Sequence, residues 1–236
     1  MKTIILTSRM DTHDTDEYGV RTSHPFGNDN GILDTLKACV KSYGKLLYVA
    51  SSENNYEITD TYANLVFKSF SETLPFHTYA VLDGRVNEVE KLVKSADLII
   101  LGGGHVPTQN RYFEKIALRQ ILSELDTPVL GISAGSMNMA KLVYCPPELE
   151  GEATDKNFKL LLQGLGLTNI NVFPHYNDMF DFVLDDLRMM EDIVIPHSFM
   201  LPVYLLSDGD YIVQTGDKIE YHGSVKLLHC GVMQEI

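Results

Sequence analysis

Short apolar runs alternate with amphipathic segments along the first two thirds of the chain. Five of these runs have the length and aliphatic content of buried strands, and they cover residues 2–8, 45–51, 76–82, 96–101 and 127–132. Four amphipathic segments predict helices, at residues 30–43, 57–72, 86–95 and from the end of a 102–110 loop to about 125. This alternation predicts an α/β fold, in which a mainly parallel, doubly wound sheet carries helices on both faces.

The last third of the chain has a different pattern. Residues 144–152 are irregular and acidic, and the segments that follow predict a helix at 158–165, a strand at 170–173 and a helix at 179–190. From 203 to 223, alternating apolar residues are separated by Asp-Gly and Gly-Asp steps, which predict C-terminal antiparallel β-hairpins. A length of 236 residues fits one α/β unit, so we predict a single domain over residues 1–236.

The composition narrows the classes of partner and compartment. The net charge is −13 and no Lys/Arg-rich run occurs, which disfavours binding to nucleic acid or to an anionic membrane. The N-terminal apolar run is too short for a signal peptide and no segment has transmembrane length, so we expect a cytoplasmic protein. The three cysteines, Cys39, Cys145 and Cys230, are widely spaced, and we expect them to be reduced and mostly buried. We expect no metal or cofactor. The sequence is compatible with a homodimer.

The apolar run at 127–132 stops at a serine that stands between two glycines. The pattern Gly131-x-Ser133-x-Gly135, with a predicted strand before it and a helix after it, is typical of a nucleophile elbow. Glycines suit this turn because a side chain on either side would collide with the helix or the neighbouring strand. The alternative is a purely structural role, in which this is an ordinary strand-to-helix connection and the serine caps the helix.

A second glycine-rich segment, residues 102–104, follows the predicted strand 96–101. Ligands of parallel sheets bind at this carboxyl edge, and glycines let them approach the backbone closely. A dinucleotide site is a poor fit because proline occupies position 107, where a glycine is needed. A phosphate site at the next helix is a weaker alternative. We favour an oxyanion hole built from the N–H groups of Ala134 and of Gly103 or Gly104.

A serine nucleophile needs a base and a residue that orients the base. His175 follows the predicted strand 170–173 and is placed to share a sheet edge with Ser133. Asp208 follows a late strand, where an acid can hold one histidine tautomer. Each also has a structural interpretation, as a histidine at a strand end and an aspartate in a turn. The other candidate acids are Asp178, Asp210 and the acidic stretch 148–152.

These motifs, in this order, resemble the family of dipeptidase E, the alpha-aspartyl dipeptidase, and the related cyanophycinases. The segments that carry the resemblance are Gly102-Gly103-Gly104, Gly131-x-Ser133-Ala134-Gly135, Pro174-His175-Tyr176 and Asp208-Gly209-x-Tyr211. The resemblance implies a class I glutamine amidotransferase-like fold and a serine-type peptidase. It also implies Ser133 as nucleophile, His175 as base, and Asp208 where dipeptidase E usually carries a glutamate. The order Ser, His, acid differs from that of the α/β-hydrolases.

The resemblance further implies a small peptide or amide as substrate, with N-terminal aspartyl dipeptides as the particular candidates. In dipeptidase E an arginine after the catalytic histidine pairs with the substrate aspartate, and Arg188 is the only arginine in that segment here. We therefore predict Arg188, His105 and Asn138 as substrate-binding residues. Arg9 and Arg21, near or in the long polar loop at 9–30, are further cations that could meet an acidic substrate.

Two other functions are compatible with the same residues. One is a non-catalytic, amidotransferase-like protein that binds a small molecule at the same sheet edge. The other is an esterase or amidase that acts on a substrate other than a peptide.

Overall fold

The computed structural model describes all 236 residues. Its strands are β1 Thr3–Thr7, β2 His13–Thr15, β3 Arg21–Ser23, β4 Lys45–Val49, β5 Thr78–Leu82, β6 Leu98–Leu101, β7 Val129–Ile132, β8 Leu142–Tyr144, β9 Leu161–Gln163, β10 Val172–Phe173, β11 Val183–Leu184, β12 Leu187–Arg188, β13 Val203–Leu205, β14 Tyr211–Thr215, β15 Lys218–His222, β16 Lys226–His229 and β17 Val232–Glu235. Its α-helices are α1 Ile32–Cys39, α2 Tyr56–Thr73, α3 Val89–Lys94, α4 Val106–Lys115, α5 Leu118–Ser123, α6 Ala134–Met137, α7 Tyr176–Met179 and α8 Ile195–His197. A 3-10 turn covers Asp29–Gly31 and a π-helical segment covers Met189–Val194. No helix has both the length and the apolar character needed to cross a bilayer.

The large sheet has seven strands in the order β15-β14-β1-β7-β6-β4-β5. The five strands from β1 to β5 in that order run parallel, while β14 and β15 add an antiparallel edge. A second sheet has the order β10-β13-β16-β17. The predicted α/β fold class, with antiparallel strands near the C-terminus, is therefore confirmed.

Helices cover both faces of the large sheet because its central strands are apolar on both sides. Every residue of β6 is buried, and alternate residues of that strand belong to two different core clusters. A third cluster lies under the second sheet and includes Tyr144, Phe173 and Val203. Burial on both faces is the physical reason why these strands read as continuous apolar runs in the sequence.

The topology brings three strand ends to one edge of the large sheet. Ser8 follows β1, Gly102 follows β6 and Ser133 follows β7, and these strands are neighbours in the order β1-β7-β6. Because the strands are parallel, their carboxyl ends meet at the same edge, where ligands of such sheets bind.

The predicted helix at 158–165 is wrong. Residues Leu161–Gln163 form β9, which pairs antiparallel with β8. The hairpin is held further by the N–H of Gly164, which donates to the carbonyl of Lys141. A side chain at Gly164 would collide with the carbonyl oxygen of Ala140. The segment forms a strand because its backbone packs closely against residues 140 and 141. The spacing of its leucines does not show this contact.

The predicted helix at 179–190 is also wrong. Helix α7 ends at Met179, and the chain then forms the β11–β12 hairpin and the π-helical segment. The hairpin turn consists of Asp185 and Asp186, which both have positive φ, at 51° and 63°. Two successive left-handed residues are what a two-residue hairpin turn of type I′ requires, and aspartate tolerates this conformation better than most residues.

Three further sequence expectations need correction. The single helix ending near 125 is two helices, because Ala117 adopts a left-handed conformation with φ of 52° between α4 and α5. The polar loop at 9–30 contains the β2–β3 hairpin. The cysteines are not mostly buried, because only Cys145 is buried, whereas Cys39 is intermediate and Cys230 is exposed.

Candidate active site

Ser133 occupies a strained turn between β7 and α6. Its backbone angles are φ 51° and ψ −116°, a combination that costs a non-glycine residue on the order of 1–3 kcal/mol. Backbone hydrogen bonds hold the turn, since Ser133 N–H donates to Thr7 and the Ser133 carbonyl accepts from Ser136 and Met137. At Gly135 a side chain would collide with the carbonyl oxygen of Leu101, so only glycine lets α6 pack this closely on β6.

Ser133 begins a continuous chain of hydrogen bonds. Its hydroxyl lies 3.0 Å from Nε2 of His175, and Nδ1 of His175 lies 2.7 Å from Oδ1 of Asp208. This is the geometry of a nucleophile, a base and an acid that orients the base. Neither Asp178 nor Asp210 takes the place of Asp208. Asp178 is exposed, and the carboxylate of Asp210 accepts backbone N–H groups of Ser207 and Ser224.

Ser8 ties the histidine and the acid together. Its hydroxyl donates to Oδ1 of Asp208 at 2.8 Å and accepts the backbone N–H of His175 at 2.8 Å. His175 itself has a left-handed backbone, with φ of 56°, where β10 passes into α7. The sequence pattern did not identify Ser8. The one available signal was its place after β1, at the same carboxyl edge as Ser133.

The environment favours an ionised Asp208. Burial disfavours the charged carboxylate, but hydrogen bonds from His175 and Ser8 and the positive charge of Arg9 outweigh it, so the pKa of Asp208 is lowered. The contribution of Arg9 is a longer contact, with Nη1 lying 3.8 Å from Oδ2. An ionised acid at this position can hold the proton of His175 on Nδ1 and leave Nε2 free to accept the proton of Ser133.

Backbone N–H groups without an acceptor lie in the two segments that meet at Ser133. Those of Gly103, Gly104 and Ala134 donate no hydrogen bond within the protein. Gly103 adjoins the serine, because a Cβ added there would lie 3.5 Å from the Cβ of Ser133. Free donors beside a nucleophile have the chemical character of an oxyanion hole.

Two cavities border Ser133, and both are lined by Gly104, Ser133 and His175. The first, here called the arginine cavity, has a volume of about 370 Å³. Besides His175, its cationic or basic residues are Arg9, His13 and Arg21. Its apolar wall includes Tyr48, Ile58, Tyr62, Val66 and Ile132. Arg9 precedes the β2–β3 hairpin and the other two residues lie on it, so the long polar loop shapes this side of the site.

The second cavity, here called the Glu148 cavity, has a volume of about 210 Å³. Its walls are mostly apolar and comprise Met137, Pro146, Pro147, Phe173, Pro174, Met179, Phe182 and Met189. Glu148 is its single acidic residue. Burial raises the pKa of Glu148 to about 7. The nearby charge of Glu152 also raises it, whereas a backbone hydrogen bond at Val106 lowers it.

The structure does not bring the three predicted substrate-binding residues to either cavity. Arg188 is exposed, and its guanidinium donates to Asp192 at 2.9 and 3.0 Å. Asn138 is fully buried, with its amide group donating to the carbonyl of Val106 and to Gln109. The sequence could not show this, because neither the position of Asn138 near the elbow nor that of Arg188 after His175 shows which way a side chain points.

His105 also has a structural partner on each ring nitrogen. Nδ1 lies 2.8 Å from the hydroxyl of Thr108, and Nε2 lies 3.0 Å from Oε1 of Glu152. The other oxygen of Glu152 accepts the backbone N–H groups of Glu148 and Leu149. His105 therefore anchors the loop that carries Glu148.

One group of side chains could hold a metal ion by proximity alone. Ligand atoms of His175, Asp178 and Asp208 lie within 4.8 Å of one another. However, Nδ1 of His175 and Oδ1 of Asp208 already bind each other. A cation here would compete with the Ser133–His175–Asp208 hydrogen bonds for the same atoms. The three residues therefore suit this hydrogen-bond network better than they suit a metal site.

The doubly wound sheet, the elbow serine and the adjoining histidine and aspartate are the features of an α/β serine hydrolase. A sequence model of peptidase family S51 matches residues 23–222, which is most of the chain. The protein therefore belongs to peptidase family S51, the dipeptidase E family, and is a serine-type peptidase. The family resemblance inferred from the sequence is confirmed.

Two solved structures have a similar fold. A peptidase from an acI-B1 Actinobacterium has 16% sequence identity and a TM-score of 0.67, with 100% of this chain and 94% of that chain covered. A protein of Listeria monocytogenes EGD-e that is named for peptidase E has 15% identity and a TM-score of 0.63, with coverages of 94% and 98%. At these identities the comparison supports the fold alone. No curated protein sequence matches the chain.

Proposed function

We propose that the protein hydrolyses short peptides through an acyl-enzyme at Ser133. The observation that carries this proposal is the hydrogen-bond chain from Ser133 through His175 to Asp208, placed on a strained elbow. Ser133 Oγ attacks the peptide carbonyl while Nε2 of His175 takes its proton, and the developing oxyanion is bound by free backbone N–H groups of Ala134 and of Gly103 or Gly104.

The tetrahedral intermediate then loses its amine. The C–N bond breaks as His175 returns the proton to the leaving nitrogen, and the acyl group remains as an ester on Ser133. In the second step His175 takes a proton from water, whose oxygen attacks the ester carbonyl. The C–O bond to Ser133 breaks and the serine recovers its proton. Asp208 stays ionised throughout and orients the imidazole.

The finer expectation of N-terminal aspartyl dipeptides needs a cation that can pair with the substrate carboxylate, because an unpaired buried carboxylate costs several kcal/mol. Arg188 does not serve, since it pairs with Asp192 outside both cavities. Arg9 and Arg21 line the arginine cavity and are the arginines that can meet a substrate carboxylate there. Aspartyl dipeptides therefore remain candidate substrates, to be compared with dipeptides that carry other N-terminal residues.

The first prediction tests the nucleophile. In folded protein, a peptidyl phosphonate should label Ser133 selectively, because the elbow exposes its hydroxyl beside a base. Ser133→Ala should fold normally and lose on the order of 10³-fold or more in turnover of short peptides. Mass spectrometry of the labelled protein and kinetics on a peptide library are the measurements.

Ser123→Ala, at the exposed end of α5, is the matched control and should keep full labelling and turnover. Labelling at another serine, or no labelling of folded protein, would favour the non-catalytic binding function. Labelling of Ser133 with turnover of esters or simple amides but of no peptide would favour the esterase or amidase function.

A further inference from the structure

The two cavities beside Ser133 have opposite electrostatic character. The arginine cavity is lined by Arg9 and Arg21 and by no carboxylate. The Glu148 cavity is lined by one carboxylate and by no lysine or arginine. Both cavities share Ser133 and His175, so the reacting carbonyl of a bound substrate would lie between them.

Arg21 is a cation without a carboxylate partner. Its guanidinium lies over the ring of Tyr62, 5.0 Å from the centroid, and forms no ion pair, although the protein carries a net charge of −13. Arg9 makes only the 3.8 Å contact with Asp208 and a hydrogen bond to the carbonyl of His13. Burial and the positive charges of Arg9 and Arg21 lower the pKa of His13, which indicates a locally positive field. A carboxylate bound in the arginine cavity would supply the anionic partner that Arg21 lacks.

Glu148 is in the converse situation. Its carboxylate has a backbone hydrogen bond at Val106 but forms no ion pair with a lysine, arginine or histidine, and the walls around it are mostly apolar. Its loop is anchored, because Glu152 accepts the N–H of Glu148 and is itself held by His105. A partly buried carboxylate without a cationic partner is unfavourable when it is charged, and a bound ammonium group would offset that cost.

We propose that the two cavities recognise the two termini of an unblocked dipeptide whose N-terminal residue is apolar. The N-terminal ammonium lies beside Glu148, with its side chain among the methionines, prolines and phenylalanines of the Glu148 cavity. The C-terminal carboxylate lies beside Arg21 and Arg9. This assignment rests on the proposed function, because it places the scissile carbonyl at Ser133.

The assignment also ranks N-terminal side chains. An aspartyl side chain in the Glu148 cavity would face a carboxylate and apolar walls, with no cation to pair with, whereas a leucyl side chain would bury apolar surface there. We therefore expect Leu-Ala to be a better substrate than Asp-Ala. This ordering is opposite to that of an aspartyl dipeptidase.

The test compares Leu-Ala with N-acetyl-Leu-Ala, Leu-Ala amide and Asp-Ala, as kcat/KM, in wild type, Glu148→Gln and Arg21→Gln. In wild type, blocking either terminus should reduce kcat/KM about tenfold or more, since a charge pair at each end is lost. Glu148→Gln should raise KM for Leu-Ala about tenfold and leave N-acetyl-Leu-Ala unchanged. Arg21→Gln should also raise KM for Leu-Ala about tenfold and should leave KM for Leu-Ala amide unchanged.

The matched controls are Glu150→Gln, two residues from Glu148 and exposed, and Arg188→Gln, an arginine outside both cavities. Both should behave as wild type. A loss in Glu148→Gln that is equal for free and acetylated peptides would assign Glu148 a structural role and overturn the proposal. So would a preference for Asp-Ala over Leu-Ala.

Phosphonate labelling of Ser133 in every variant separates the two levels of failure. Labelled enzyme that hydrolyses peptides regardless of blocked termini would overturn the terminal assignment and leave the proposed function in place. Unlabelled enzyme that hydrolyses none of the peptides would overturn both.

Discussion

Asp208 is distinguished from its acidic neighbours by its contacts. It is the acid that accepts Nδ1–H of His175, at 2.7 Å, and Ser8 and Arg9 hold it in the ionised form. Its pKa is lowered in the folded protein, so any stability that it contributes is present above the ordinary pKa of aspartate. That contribution is lost as the pH falls through the lowered value. At neutral pH the carboxylate is therefore available to orient the imidazole.

The second set of variants tests this orienting role. Asp208→Asn keeps the shape but presents an amide to His175, which favours the wrong tautomer. We expect a loss of about 10³- to 10⁴-fold in kcat with a small change in thermal stability. Steady-state kinetics and a thermal melt are the measurements.

Asp178→Asn is the matched control, because Asp178 is an exposed acid whose carboxylate also lies near His175 and Asp208. It should retain near-normal turnover. Near-normal activity of Asp208→Asn together with a large loss in Asp178→Asn would transfer the orienting role to Asp178.

The elbow between β7 and α6 is held by its surroundings against its own backbone preference. The φ of 51° at Ser133 is imposed by hydrogen bonds to Thr7, Ser136 and Met137 and by the close approach of Gly135 to β6. These backbone angles are unfavourable for a serine. The strain is the structural cost of presenting its hydroxyl to His175.

This strain predicts an order of stability between two inactive variants. Glycine adopts positive φ without a steric penalty, whereas alanine keeps the Cβ that causes it. Ser133→Gly should therefore be more stable than Ser133→Ala, by about 1 kcal/mol after the larger backbone entropy of glycine is subtracted. Urea denaturation of both variants measures the difference. Equal midpoints, or a more stable alanine variant, would show that the turn is not strained.

The two sheets are interleaved along the chain. Strand β13 lies in the small sheet, β14 and β15 return to the edge of the large one, and β16 and β17 rejoin the small sheet. The site also draws on both, with Ser133 after a strand of the large sheet and His175 after β10 of the small sheet. This interleaving supports the proposal that residues 1–236 form a single domain, because neither sheet can be completed by a continuous segment of chain.

A single domain should unfold in one cooperative step. We expect one calorimetric transition in the wild-type protein, with calorimetric and van't Hoff enthalpies equal and loss of activity coincident with loss of helical circular dichroism. Two separated transitions, with activity lost in the first, would mean that the small sheet and His175 form an independent unit.

The sequence determined the parallel sheet and the order of the candidate catalytic residues along the chain. Strands buried on both faces must be continuous apolar runs, and the elbow needs glycines at fixed spacing around Ser133, so both leave local patterns. The carboxyl-edge position of Ser133 and of Gly103 follows from that topology. The sequence also placed His175 at a strand end and Asp208 after a strand, although it left several acids open.

Tertiary structure decided what depends on contacts between distant segments. The segment 179–190 became a hairpin and a π-helical turn because Asp185 and Asp186 adopt left-handed conformations, whereas its composition is compatible with a helix. The directions of Asn138 and Arg188 and the bridge made by Ser8 likewise arise only on folding. So does the placement of Arg21 and Glu148 in two different cavities that both border Ser133. Local spacing carries backbone periodicity, but the direction of a side chain and its charge environment depend on partners that can be more than a hundred residues away.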